Sequence, residues 1–257
     1  MDVAITPKYS FVPITEKKYQ GLSDKRTQDL LQKWGIKLQI QQFLFNETFH
    51  QYHKYDLAKA FFQDRIVANN LKTWTKNSYA ITGLIASDIE IKQIPCTITS
   101  MTFFDKLKDS KNNIVNDSDH IRQRFDIEID GILVSNNLRG MLLDTECDEY
   151  NLYSKDERDE FIFRLFQLLV LGGEYCQYED NLKPYLEVTK SIYKDLVRVR
   201  KDETDNMFIS TMVLQVVAKK ESPYFPMNPD HPQNVGFLFV DETNREITTF
   251  LHQYSGF

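Results

Sequence analysis

The chain has 257 residues, of which 42% are hydrophobic, 26% charged and 13% aromatic, enough for a folded unit that hides roughly three quarters of its extended surface. Nine glycines and eight prolines exclude collagen-like or low-complexity architecture. A balance of 31 basic against 37 acidic side chains, net −6, provides no global field to draw the chain onto phosphates and argues against general nucleic-acid binding.

Cys96, Cys147 and Cys176 are too few and too scattered for a disulfide framework or a four-thiolate zinc site, so a reducing compartment is expected. The opening stretch Met1 to Pro7 lacks the basic and apolar regions of a secretory signal. The most apolar run, Phe161 to Leu171, is shorter than the roughly 20 residues a bilayer crossing needs, so no membrane span is expected.

No repeat and no Gly/Ser linker divides the chain, which predicts one continuous domain over residues 1–257. Ser23 as N-cap and Gly35 as terminator bracket a first helix with Leu30, Leu31 and Trp34 along one stripe. Ile36 to Gln41 alternates with period two and slips at Gln42 into Phe43-Leu44-Phe45, as a strand with a bulge or a more covered end would. Asp56 can cap a helix with Leu57, Ala60, Phe61, Ala68 and Leu71 on one side, the stripe interrupted by Asp64. Strands over 79–86 and 89–99, a short helix over 101–108, a strand over 127–134 and a short helix over 136–143 follow. Segment 106–119, rich in Asp, Asn, Ser and Lys, predicts a mobile surface loop.

Ser154 and Glu157 form a capping box before the run Phe161 to Leu171, which is apolar nearly all round and ended by Gly172-Gly173; this predicts a central buried helix. A second long helix follows Asp180 and Asn181. Pro184 lies in its opening turn, Tyr185, Leu186, Thr189, Ile192, Tyr193, Leu196 and Val197 share one face, and Arg198, Arg200 and Lys201 stand at its negative end. Residues 207–218, 235–240 and 246–254, with a turn at 241–244, predict an antiparallel three-strand sheet. Helices and strands do not alternate regularly enough for a doubly wound parallel sheet. The fold class is therefore α+β: a single globular domain with a central buried helix and a C-terminal antiparallel sheet.

His50 and His53, with Asp56 beyond them, would lie one turn apart on a helix and could ligate zinc. No further ligands follow at metal spacing and no Glu stands between the histidines, so the approach to a capped helix is the plainer account. Cys176, just past the glycine break, could present a thiol, but Glu179 and Asp180 would raise its pKa, which favours a buried structural role. No phosphate-binding glycine loop, dinucleotide fingerprint or nucleophile elbow occurs, so no catalytic residue, metal or cofactor is expected. Pro223, Pro226, Pro229 and Pro232 recur with the period of a polyproline II helix in the loop 219–234. That stretch is either a stiff connection or a ligand offering Tyr224 and Phe225 to an aromatic-lined groove. Lys194, Arg198, Arg200 and Lys201 cluster as a solvated surface or as a dock for an acidic partner.

Gly172-Gly173, Cys176 to Asp180, Pro184 to Glu187, Thr189-Lys190, Ile192 to Val197 and Val199 to Lys201 together resemble the signature stretch of the cilia- and flagella-associated protein 300 family. The likeness extends through Pro95-Cys96-Thr97, Ser100-Met101, Phe103-Phe104, Asp117-Ser118 and His120-Ile121. It reaches back to Phe49, Tyr52, Lys54, Asp56, Ala60 to Phe62 and Asp64, and so covers most of the chain. It departs at His53, which the family pattern does not demand, and in the proline run.

The resemblance implies a non-enzymatic adaptor for cytoplasmic assembly of axonemal dynein arms and their delivery to the cilium or flagellum. Implied partners are dynein arm assembly factors, axonemal dynein subunits and the intraflagellar transport machinery, with no nucleic acid and no membrane. The family supplies no catalytic residues. The alternatives are a structural component of the axoneme, or a metal- or thiol-dependent enzyme using His50, His53 or Cys176. The surface from Gly172 to Lys201 is expected to dock partners, with Lys194, Arg198, Arg200 and Lys201, and Tyr224 and Phe225 in the proline loop, as candidate contacts. Charge reversal at Arg198, Arg200 and Lys201 is then expected to weaken partner capture while leaving the melting temperature nearly unchanged.

Overall fold

Strands with apolar residues on both sides need cover on both faces, and the chain supplies it from its two halves. The computed structural model describes residues 8–15, 17–75 and 78–254. Among them, one antiparallel sheet of seven strands runs in the order Phe11–Ile14, Leu38–Phe45, Glu246–His252, Val235–Asp241, Thr211–Lys219. Asp88–Ile94 closes the far edge, and the short Pro223–Phe225 pairs with Ala218 and Lys219 beyond the reach of Val235–Asp241. The three C-terminal strands expected from sequence are therefore the interior of a larger sheet. Apart from Pro223–Phe225, its outer strands come from the N-terminal half, pairings that local periodicity does not encode.

The faces follow the period-two alternation of the strands. Val213, Phe237, Phe239 and Phe250 point to one side, against the central helix Phe161–Leu171 and the long helix Leu182–Leu196. Leu214, Val216, Leu238 and Val240 point to the other, against Leu57, Phe61 and Phe62 of the helix Lys54–Gln63. The result is a three-layer α+β domain whose central sheet is covered on both faces, whereas antiparallel sheets commonly leave one face wet. Among the described residues, no helix is long and apolar enough to cross a membrane.

The central helix is anchored at both ends. Its first residue, Phe161, packs edge-on against Phe239 at 4.9 Å and Phe237 at 5.5 Å. The capping box of Ser154 and Glu157 is present, but it opens a separate short helix, Lys155–Asp159. The backbone breaks at Glu160, whose carboxylate at the N-terminus of the central helix accepts hydrogen bonds from Thr97 N at 2.9 Å and Thr97 Oγ1 at 2.5 Å. At the other end Gly172 adopts φ 70°. There Arg139, buried on the helix Asn137–Leu143, donates to Val170 O at 3.0 Å and Leu171 O at 2.8 Å, satisfying carbonyls a helix end leaves open.

Several boundaries differ from expectation for identifiable reasons. Asp24, not Ser23, caps the first helix, accepting from Thr27 N at 2.9 Å. Leu38–Phe45 keeps continuous register with both neighbours and has no bulge; the pattern slips because Gln42 is buried, its amide held by the Glu246 carboxylate. The helix expected across Asp64 is two helices, because that carboxylate accepts from Ile66 N at 2.7 Å and Val67 N at 3.0 Å and caps the second, Arg65–Ala68. The single strand expected over 127–134 is a hairpin, Gln123–Ile129 with Ile132–Asn136, turned by Asp130 and Gly131, both at positive φ. Within 106–119, Ile114 and Val115 are buried and Val115 bridges Ile121.

Candidate functional site

Tyr193 fastens the long helix to the segment that precedes the 3-10 turns Met101–Leu107. Its hydroxyl donates to Ile98 O at 2.9 Å and meets Cys96 Sγ at 3.3 Å. Burial pushes the Cys96 thiol up to about 12, which keeps this sulfur protonated at neutral pH. Between helix and turns runs an open groove made of two depressions of about 340 and 430 Å³ that share Met101, Lys108 and Lys190 in their lining.

Its apolar lining includes Ile98, Met101, Ile162, Leu182 and Leu186, and its cations are Lys108, Lys183, Lys190 and Lys194. On the helix, Lys183, Lys190 and Lys194 stand at i, i+7 and i+11, one stripe beside that of Leu182, Leu186 and Tyr193. The acids of the lining are Asp105, Asp119 and Glu187. Two of them are engaged: Asp105 pairs with Lys108 at 2.7 Å, and Glu187 lies 2.8 Å from Arg26 and 3.8 Å from Lys183. Among the described residues, Lys190 and Lys194 enter no ion pair. Such a groove can hold apolar surface and negative charge.

The basic cluster seen in the sequence is divided by the fold. Lys194 lines the groove, but the helix stops at Leu196, and the β-branched Val197 and Val199 flank an extended backbone. Arg198, Arg200 and Lys201 therefore do not close the helix. Arg198 precedes, and Arg200 and Lys201 belong to, a hairpin of Val199–Lys201 with Met207–Ile209, where Arg200 lies 3.8 Å from Asp241 and Lys201 2.7 Å from Asp205. Arg198 is exposed and its backbone N–H donates to Thr211 Oγ1 at 2.9 Å. The expectation that cations there answer the helix dipole is thus corrected.

Tyr224 and Phe225 face inward. They are buried in the core, the Phe225 ring 5.1 Å from that of Phe62, because Pro223–Phe225 joins the sheet instead of starting a polyproline face. His53 Nδ1 lies 3.0 Å from Asp56 Oδ2, and His50 stacks on Tyr52 at 5.3 Å. Among the described residues, no three His, Cys, Asp or Glu side chains are grouped to hold a metal. Cys176 lies 3.3 Å from Arg139 Nη2, yet burial pushes its thiol up and outweighs the pull of that guanidinium. The lysine spacing of the groove is readable in sequence; the opposite wall of Met101 and Lys108 is not, since only the tertiary fold brings it across.

The family model described as cilia- and flagella-associated protein 300 matches residues 8–252. The chain belongs to this family. It is 30% identical over 236 residues to the cilia- and flagella-associated protein 300 of Paramecium tetraurelia, covering 91% of this chain and 89% of that protein. It is 27% identical over 251 residues to the protein of the same name from Chlamydomonas reinhardtii, covering 95% of this chain and 98% of that one. No solved structure matches the chain. Membership makes this a protein associated with cilia and flagella.

Much of the stretch that carries the family likeness is structural. The Trp34 ring stacks on Tyr185 at 4.6 Å and its Nε1–H donates to Glu179 Oε1 at 2.9 Å. Lys33 pairs with Glu179 at 2.8 Å, and Gly173 N–H donates to Trp34 O at 2.9 Å. These contacts clasp the first helix to the long helix. Two lysines of the groove, Lys190 and Lys194, also fall in the stretch and are exposed.

Proposed function

We propose that this family member is a non-enzymatic adaptor that helps assemble axonemal dynein arms in the cytoplasm and accompanies them to the cilium or flagellum, docking partners along the lysine-lined groove. The observation that carries this reading is Lys190 and Lys194, which among the described residues enter no ion pair, beside an apolar depression on a chain whose net charge is −6. Unneutralised cations beside apolar lining suit recognition of another protein. Dynein arm assembly factors, axonemal dynein subunits and the intraflagellar transport machinery are the expected partners.

Crosslinking mass spectrometry on the tagged protein, run in parallel on cytosol and on detergent-resistant axonemes of ciliating cells, tests the proposal. Crosslinks from Lys183, Lys190 and Lys194 to dynein chains or assembly factors in the cytosol support it. Crosslinks confined to microtubule-bound axonemal proteins would make the chain a structural component instead.

A further inference from the structure

The groove has a shape and a charge pattern that select its occupant. From Lys183 to Lys194 the helix advances eleven residues, about 16 Å, or three helical turns. Along that length Leu182 and Leu186 line one depression with Lys183 and Lys190, Ile98 and Ile162 line the other with Lys190 and Lys194, Met101 and Lys108 belong to both, and the acids Asp105, Asp119 and Glu187 leave the cations in excess by one. A partner that complements this lining presents an apolar stripe flanked by carboxylates. A flat anionic bilayer also meets the charge requirement, and the vesicle probe below separates it from a partner helix.

We infer that the groove between residues 98–108 and 182–196 receives an acidic amphipathic helix of a partner protein, its apolar stripe on Met101, Leu182 and Leu186 and its carboxylates on Lys190 and Lys194. The biological use of this contact rests on the adaptor reading; the binding itself does not. Helix-in-groove recognition places anchors one turn apart, which matches the spacing of the lining on the long helix. Exposed lysines contribute mainly by steering and by rejecting basic partners, so the interaction weakens as salt screens it.

Fluorescence anisotropy on the full chain tests this with a labelled helical peptide of about eleven residues, with Leu on one stripe and Glu elsewhere. The comparison probes are the same peptide with Lys for every Glu, and phosphatidylserine vesicles. The Leu/Glu peptide should bind at least tenfold tighter than its Lys counterpart. The double variant Lys190→Glu/Lys194→Glu should weaken it at least tenfold, and Lys190→Gln/Lys194→Gln by a smaller factor, both with an unchanged melting temperature because these side chains are exposed. Equal binding of acidic and basic peptides, unchanged binding by the double variant, or binding to vesicles but not to the peptide would overturn the inference. Failure of the wild-type protein to capture dynein chains from cytosol would sink the adaptor reading alone, since the peptide measurement does not depend on it.

Discussion

Lowering the pH through the range where histidine titrates should destabilise the protein chiefly through His252. This side chain is fully buried at the end of the strand Glu246–His252, with Nδ1 2.6 Å from Gln233 O, and among the described residues Nε2 has no hydrogen-bond partner. Burial depresses its pKa to about 4, partly opposed by the Gln233 carbonyl and reinforced by nearby His231. Unfolding returns the imidazole to a pKa of about 6.5, so the unfolded chain takes up a proton that the folded chain refuses. The stabilisation is whole above the unfolded pKa and is lost as pH falls toward the folded one. With those two values the loss between about pH 7.5 and 5 is about 2 kcal/mol, with a slope approaching 1.4 kcal/mol per pH unit near the low end. His231, also depressed by burial, adds in the same direction.

Urea denaturation at a series of pH values measures the slope directly, and His252→Gln provides the control. That variant will cost stability at every pH because it alters a buried site; the readout is the pH slope, which should shrink to the residue left by His231. A wild-type protein with flat stability over this window, or a variant with the same slope as wild type, would refute the reasoning.

Gly173→Ala should cost about 3 kcal/mol by chemical denaturation, since a Cβ there would stand 2.0 Å from the Gly35 carbonyl oxygen, a backbone atom that cannot swing away. Arg139→Met should lose about 2–4 kcal/mol, because Val170 O and Leu171 O at the end of the central helix lose their donor. Arg139→Lys should rescue little of this, since one ammonium cannot reproduce the fork that also reaches Leu133 O at 2.8 Å. Charge reversal divides the basic hairpin. Arg200→Glu sets a carboxylate beside the buried Asp241 and should lower stability by about 1 kcal/mol, whereas Arg198→Glu should leave the thermal melt unchanged.

The α+β class, the central helix and the long helix are legible in the chain because their signals are local. Phe161 to Leu171 is apolar on every face and ends at a glycine, and Tyr185, Ile192, Tyr193 and Leu196 repeat at helical spacing. Caps blurred where two candidates stand close together: Asp24 takes the role expected of Ser23, and Glu160 splits the helix that the Ser154 box appeared to open as one. The basic run after Leu196 reads as a helix end because charge alone does not reveal where hydrogen bonding stops. Pairing with Met207–Ile209 draws it into a hairpin.

Residue order by itself thus determined the central helix, the long helix and the apolar C-terminal strands. Tertiary structure alone decided that Leu38–Phe45 and Asp88–Ile94 flank the C-terminal strands, that Tyr224 and Phe225 turn inward, and that Met101 and Lys108 face the lysine stripe. The physical reason is range. Helical periodicity and capping act over a few residues, whereas sheet order and the opposite wall of a groove depend on contacts between segments far apart in the chain, selected by how two apolar faces of one sheet can both be covered.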